Sequence, residues 1–409
     1  MSTDTLPEHL QRPALRRIHP VPVEGEVADQ QGNRQKATFL GLRDPFMLTP
    51  QMMVIPPQAL SAVQLFNGQR TIAEVATALK LPDPAPLMQL VMKLDEFGLI
   101  WGPTCEALED KKRVELDAAG AFPAGATRAL GEDPSAVRTQ LEKWIDEAED
   151  AGIDEPVVGL VSCHLDFVRG HPIYASSYRV VAKGPRPDRV VLLGPGHFGL
   201  GDGVTVAHLG FESPLGRVRA DQGVLNRLKA STGDRLFKDS LDHLPEHSLQ
   251  VQLPWIQHLF GDVPVIAAIV PDPNAPMLAD DGARLNPAQF AAALADAISA
   301  EGGRTLFIAS ADLSHAGPAF GDKAAVDDAQ RRNIEARDRE LLKAFISGPT
   351  AMTDALKASG NATRWSSAGA MFVASTVAKP SGVELIDYRQ SVDEQGMALV
   401  SAASMALLA

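Results

Sequence analysis

The chain has 409 residues, 45% of them hydrophobic and 22% charged, with a formal net charge of −13. That length favours two domains, and that composition belongs to a globular protein. An acidic chain with no basic run is a poor match for nucleic acid or an anionic membrane, so both are set aside as partners.

In chain order, residues 1–36 are polar and without periodicity and read as an irregular arm. The start Met1-Ser2-Thr3-Asp4 carries no apolar signal segment. No stretch approaches the roughly 20 apolar residues that span a bilayer. Two cysteines, Cys105 and Cys163, cannot build a disulfide framework. Together these place the expected location in the cytoplasm.

Residues 37–102 form a small unit. Pro57 to Phe66 suits a short helix ending at Asn67-Gly68. Thr71-Ile72-Ala73-Glu74 is a capping box opening a helix to Leu79. Asp83-Pro84 opens another, with Leu87, Leu90, Val91, Leu94 and Phe97 on one stripe and Gly98 as its stop. Leu99-Ile100-Trp101 reads as a closing strand. Short helices with flanking strands make a winged-helix-sized unit. Its segments Phe66–Val75 and Leu94–Ile100 resemble a PqqD-like domain. That resemblance implies a module that binds peptide segments beside radical-SAM enzymes. Residues 103–120, with the charged centre Glu109-Asp110-Lys111-Lys112-Arg113, read as a linker.

Residues 121–409 alternate strands and helices, which argues for a layered α/β domain. Pro134 to Asp150 reads as an amphipathic helix. Further helices are expected over 221–230, 286–300, 323–346 and 367–378, and strands over 263–270, 383–388 and 397–401. Three apolar runs stand out because a histidine follows each. They are Val157–Ser162 before His164, Val190–Gly194 before His197, and Leu306–Ser310 before His315. Such runs read as buried parallel strands. Ligands of open α/β sheets bind beyond the carboxyl ends of the strands, so three imidazoles are expected at one edge. Neutral imidazole is a common metal ligand and acid–base group.

Each strand end carries a constellation. Cys163-His164-Leu165-Asp166 puts a thiol, an imidazole and a carboxylate together, with the thiol expected to be a small buried residue. Gly194-Pro195-Gly196-His197 lacks dinucleotide or P-loop spacing, so its glycines are expected to turn the backbone tightly and expose His197. Glu246-His247 opens an apolar helix and can orient a pocket residue. Asp312 and His315 are spaced as on one turn, facing one cavity. A Ser310–Asp312–His315 hydrolase lacks the G-x-S-x-G elbow.

The order of these motifs carries a family resemblance. It runs through Phe122-Pro123-Ala124-Gly125, His164, Gly194–His197, Ser213-Pro214-Leu215-Gly216, Glu246-His247-Ser248, Ser310–His315 and Tyr388-Arg389-Gln390-Ser391. Together they resemble the Memo family, also called AmmeMemoRadiSam system protein B. The resemblance implies an α/β/α core like that of class III extradiol dioxygenases, which are non-haem iron enzymes. It implies a metal held by two histidines, which map onto His164 and His197, and by one cysteine. It also implies Asp312 and His315 as a pocket pair and Glu246-His247 as the family's acidic–histidine motif. The cysteine should fall near Ala362–Ser367, where none stands. Asp166 is the candidate replacement carboxylate, giving a two-His-one-carboxylate site.

Three functions follow as expectations. One is a dioxygenase-like metal protein with Asp312, His315, Glu246 and His247 as catalytic groups, acting with radical-SAM system proteins. Its ion would be Fe(II) first, Zn(II) or Cu as alternatives, or none if the missing thiolate abolished the site. Another is a metal-free protein that binds a peptide or small ligand. The third is a metal-assisted hydrolase using His164, His197 and Asp312.

Overall fold

A computed structural model describes residues 6–28, 34–199, 203–275 and 282–409. The chain divides into two compact units, Met1–Ala119 and Gly120–Ala409. Among the described residues, no helix is long and apolar enough to cross a membrane.

The first unit contains α1 (Glu8–Gln11), β1 (His19–Ala28), β2 (Arg34–Arg43), β3 (Met53–Ile55), α2 (Leu60–Val63), α3 (Ile72–Ala78), α4 (Ala85–Glu96) and α5 (Pro103–Ala119). Its strands form an antiparallel sheet in the order β1-β2-β3. The core joins Leu42, Ile55, Val75, Val91 and Leu94, and Leu6 and Leu10 bury in it. The Thr71–Glu74 capping box forms as expected.

Three expectations are corrected here. Residues 1–36 are not an irregular arm where described, because they hold α1 and β1. Pro20 and Pro22 disguise β1; a strand tolerates prolines at the edge of a sheet, where β1 lies. Residues 103–119 are not a linker but the helix α5. Its charged run is a solvated helix face laced by Glu109–Arg113 and Lys112–Glu115 pairs. Among the described residues, Leu99–Trp101 makes only one isolated bridge, Leu15 to Ile100.

The second unit begins with β4 (Ala121–Phe122), α6 (Pro134–Glu147), β5 (Val157–Ser162), α7 (Phe167–Ala182) and β6 (Arg189–Gly194). It continues with β7 (Thr205–Val206), β8 (Gly210–Phe211), α8 (Gln222–Thr232), α9 (His247–Gln250), α10 (Leu253–Phe260) and β9 (Val265–Ile269). Next come α11 (Pro287–Glu301), β10 (Thr305–Ser310), β11 (Asp312–Ala316), α12 (Asp328–Ser347), α13 (Pro349–Ala358) and α14 (Ala368–Ala378). The chain ends in the hairpin β12 (Gly382–Val392) and β13 (Leu399–Leu408).

The main sheet runs β11-β13-β5-β10-β6-β9-β7, with β12 also paired to β13. β5, β10, β6 and β9 are mutually parallel, while β7, β11, β12 and β13 add antiparallel edges. β6 is buried at every residue, as a strand covered on both faces must be. Val191 and Leu193 pack with Phe290, Leu294, Phe345 and Met371 from the helices α11, α12 and α14. On α7, Tyr174 and Tyr178 are fully buried, and this helix contacts β5 and β13.

One feature of the topology places the site. The chain goes from β5 through α7 to β6, leaving a gap, and β10 later fills that gap. Ser310 pairs with Ser162 of β5, and Ala309 pairs with Leu193 of β6. The carboxyl ends of three strands distant in sequence are therefore level and adjacent.

Candidate metal centre

His164 follows β5 by two residues and is buried. Its backbone N–H donates to Asp312 Oδ1 at 2.9 Å, tying the end of β5 to the start of β11. Neither ring nitrogen has a hydrogen-bond partner. Nε2 lies 3.5 Å from Asp312 Oδ2, outside hydrogen-bond geometry. Burial, then the neighbouring His197 and His247, holds the imidazole well below its ordinary pKa, so it is neutral.

His197 follows β6. Its backbone N–H donates to Glu246 Oε2 at 2.7 Å and its Nδ1 lies 2.9 Å from Glu246 Oε1. With Nδ1 turned to the carboxylate, Nε2 is the atom a metal would take. The glycines before it act differently from expectation. Neither Gly194 nor Gly196 has a positive φ. A Cβ on Gly194 would stand 2.6 Å from Ser248 Oγ, so this glycine lets α9 pack directly on the strand end.

His247 opens α9. The rings of His197 and His247 are 4.6 Å apart, and His164 stands 5.1 Å from the first and 5.6 Å from the second. Among the described residues, these three form a group with metal-ligand spacing, one nitrogen from each lying within 4.8 Å of the others. Glu246 caps α9, accepting the Ser248 N–H at 2.8 Å. Burial works to raise its pKa, but the bonds and charge from His197 outweigh that and hold it at about 2. A fixed carboxylate behind His197 sets the ring's tautomer and orientation.

The third member of the group is thus His247, and Asp166 is not in it. Asp166 caps α7, accepting the Arg169 N–H at 3.0 Å and pairing with Arg169 Nε at 2.5 Å. An aspartate ahead of a helix serves its orphan N–H groups. Cys163 is also outside the group. It is buried, its Sγ points to the Gly170 carbonyl at 3.6 Å, and burial pushes its thiol far up.

Asp312 and His315 lie on the strand β11 rather than on a turn. Three residues apart on a strand would face opposite sides, but the register shifts between them, and a bulge re-aims a side chain. Burial pushes the Asp312 carboxyl up to about 7. His315 Nδ1 sits 3.1 Å from the carbonyls of Leu313 and Arg364, which assigns its proton to Nδ1 and leaves Nε2 as the basic atom. His315 shares its electrostatic surroundings with His164 and His197.

A buried brace beneath the cluster was not foreseen. Gln252 Nε2 donates to the Cys163 carbonyl at 2.6 Å and to Ser310 Oγ at 2.8 Å. Ser310 Oγ donates to the Ser248 carbonyl at 2.6 Å, and Ser248 Oγ to the Pro195 carbonyl at 3.1 Å. One glutamine and two serines thereby lock all the elements that carry the three imidazoles. The available signal was Gln250 and Gln252 inside the apolar run Leu249–Trp255.

The fit of an ion can be judged from the donors. Two orphaned buried nitrogens on one ring carry a desolvation cost that a ligand would remove. Three imidazoles suit iron, copper, zinc or nickel, and the absence of thiolate disfavours the softest ions. The residues fit a divalent metal.

Fold and site define an α/β protein with an imidazole cluster at the carboxyl edge of its parallel strands. The family model of Memo-like proteins matches residues 122–406, and the chain belongs to that family. A MEMO1 family protein of Thermotoga neapolitana is 34% identical over 193 residues, 46% of this chain and 64% of the relative. One from Thermotoga petrophila is 36% identical over 166 residues, 39% of this chain and 53% of the relative. One from Aquifex aeolicus is 25% identical over 360 residues, 85% of this chain and 89% of the relative. The alignments with the two Thermotoga proteins therefore span less than two thirds of their length.

Proposed function

We propose that this Memo-like protein binds one divalent metal through His164, His197 and His247 and acts as a non-haem, dioxygenase-like oxidoreductase, with Fe(II) as the first choice and Zn(II) or Cu as alternatives. The reading rests on His164, a buried neutral imidazole with two unpartnered nitrogens facing two more imidazoles. A bound ion supplies the Lewis acidity and one-electron chemistry that side chains lack. Glu246 orients His197. Asp312, with its carboxyl near 7, can hold or release a proton at neutral pH. His315 can accept one at Nε2. On this reading the protein works in the cytoplasm with radical-SAM system partners. The first unit, whose Phe66–Val75 and Leu94–Ile100 segments are PqqD-like, would hold a peptide.

Anaerobic titration of untagged apo protein with Fe(II), Zn(II) and Cu(I) tests the centre. One ion per chain is expected, with binding lost in His164→Ala and in His247→Ala. Tight binding that survives both substitutions refutes the assignment. No binding by the wild type would favour the metal-free ligand-binding role.

A further inference from the structure

The chain is poor in large polar aromatics, with 4 tryptophans and 3 tyrosines in 409 residues. Four of those seven lie in one stack. Trp144 of α6 stacks on Trp255 of α10 at 5.8 Å and 25°. Trp255 stacks on Tyr174 of α7 at 5.4 Å and 18°, and on Tyr178 at 5.5 Å and 10°. His171 covers the outer end, stacked on Trp144 at 5.0 Å.

The inner end reaches the backbone on both sides of His164, directly at Leu165 and through the Gln252 side chain at Cys163. Tyr174 Oη donates to the Leu165 carbonyl at 2.7 Å. Tyr178 Oη donates at 2.9 Å to Gln252 Oε1, and the same amide donates to the Cys163 carbonyl. Gly170 permits this approach, since a Cβ there would stand 2.8 Å from the Tyr174 ring and 3.0 Å from both Cys163 Sγ and Leu165 Cβ. A glycine inside a helix is less favourable than alanine, so closeness of α7 to the strand end is retained at a cost. Trp255, Tyr174 and Tyr178 are fully buried, whereas Trp144 and His171 are partly exposed.

We infer that the stack Tyr174/Tyr178–Trp255–Trp144 is a one-electron conduit that carries oxidising equivalents from the histidine cluster to the surface. The inference rests on the proposed redox centre for its physiological oxidant, the class formed when a redox ion meets hydrogen peroxide. That oxidant takes one electron from the stack. Neither phenol can release its proton, because both bond to amide oxygens, which do not take protons; burial also raises both phenol pKa values well above the ordinary 10. The tyrosine rings therefore bridge, and Trp255 is the first ring to hold the vacancy. The indole N–H of Trp255 has no partner, so its proton stays in place and the vacancy moves on. At Trp144 the indole proton passes to water. A soluble thiol then returns a hydrogen atom, restoring Trp144 and leaving a thiyl radical. The stack would protect His164, His197 and His247 from oxidation during uncoupled turnover.

The test uses the full chain in two arms. In the first, Phe198→Cys, beside His197, is labelled with a ruthenium photo-oxidant; Cys105 and Cys163 are buried and do not compete. Flash oxidation of the metal-free protein should produce the visible absorption of a tryptophanyl radical. Adding Trp255→Phe should abolish radical formation at Trp144. Adding Trp144→Phe should remove the long-lived radical and leave a short-lived one on Trp255. Circular dichroism checks folding, and the partly exposed Trp144 position keeps the test available if Trp255→Phe unfolds. A Trp144 radical yield independent of Trp255, or no radical in the labelled parent, overturns the conduit. In the second arm, iron-loaded protein meets hydrogen peroxide and oxidised residues are mapped by mass spectrometry. Oxygenation of Trp144 that shifts to the three histidines in Trp255→Phe supports conduit and centre together. A working first arm with no oxidation in the second retains the conduit and refutes the redox centre.

Discussion

Two buried polar clusters sit on the same sheet and differ in one respect. The first is built on Asp338 of α12, which is fully buried. Its Oδ1 accepts Ser314 Oγ at 2.5 Å and Trp365 Nε1 at 2.7 Å. Its Oδ2 accepts Tyr388 Oη at 2.8 Å and Ser401 Oγ at 2.5 Å. One carboxylate thus ties α12 to β11, β12, β13 and the loop before α14, and its acceptors are satisfied. The second cluster, at the carboxyl edge, leaves both nitrogens of His164 without partners. A completed network specifies architecture, whereas an incomplete one in a rigid frame is held for something absent from the chain.

The largest expected effect breaks the complete network. Asp338→Ala should cost about 3–4 kcal/mol in urea denaturation, because it strands buried donors. Asp338→Asn should cost less, since the hydroxyls of Tyr388 and Ser401 can turn to accept. The folded fraction should still bind metal. A small stability loss with lost metal binding would collapse the distinction.

Next comes the incomplete cluster. Glu246→Gln should lower metal affinity about 10–100-fold, the range for groups that orient ligands, while the fold persists. An unchanged affinity, read by competition with a chelator, would show that His197 needs no orienting carboxylate.

The smallest effect asks whether an orphaned imidazole alone is enough. His243 is fully buried with both nitrogens unpartnered, packed 5.7 Å from Phe122 and 6.1 Å from Phe211, outside the ligand trio. Burial depresses its pKa to about 3 in the fold. The unfolded chain takes up this proton near its ordinary pKa of about 6.5, so stability falls as pH drops through that value. Between pH 7 and 6 the loss from this residue is about 0.7 kcal/mol. His243→Leu should remove that component and leave metal affinity unchanged. If metal affinity falls instead, His243 belongs to the centre.

The local features were legible in the residues. The capping box at Thr71–Glu74 and the runs that became β5, β6 and β10 depend on neighbours within a few positions. Asp338 was not legible, because one aspartate in a charged amphipathic helix looks like surface until four donors from other elements converge on it. β1 was hidden by its prolines, which only an edge position makes acceptable.

By itself the sequence determined that three buried strands would each be followed by a histidine, because parallel strands are contiguous apolar runs and ligands gather where those runs stop. Tertiary structure alone decided which side chains meet. Insertion of β10 between β5 and β6, the register shift in β11 and the packing of α9 on Gly194 are non-local events. They exchanged Asp166 for His247 as the third candidate ligand, because spacing along the chain carries no record of which strand ends become neighbours.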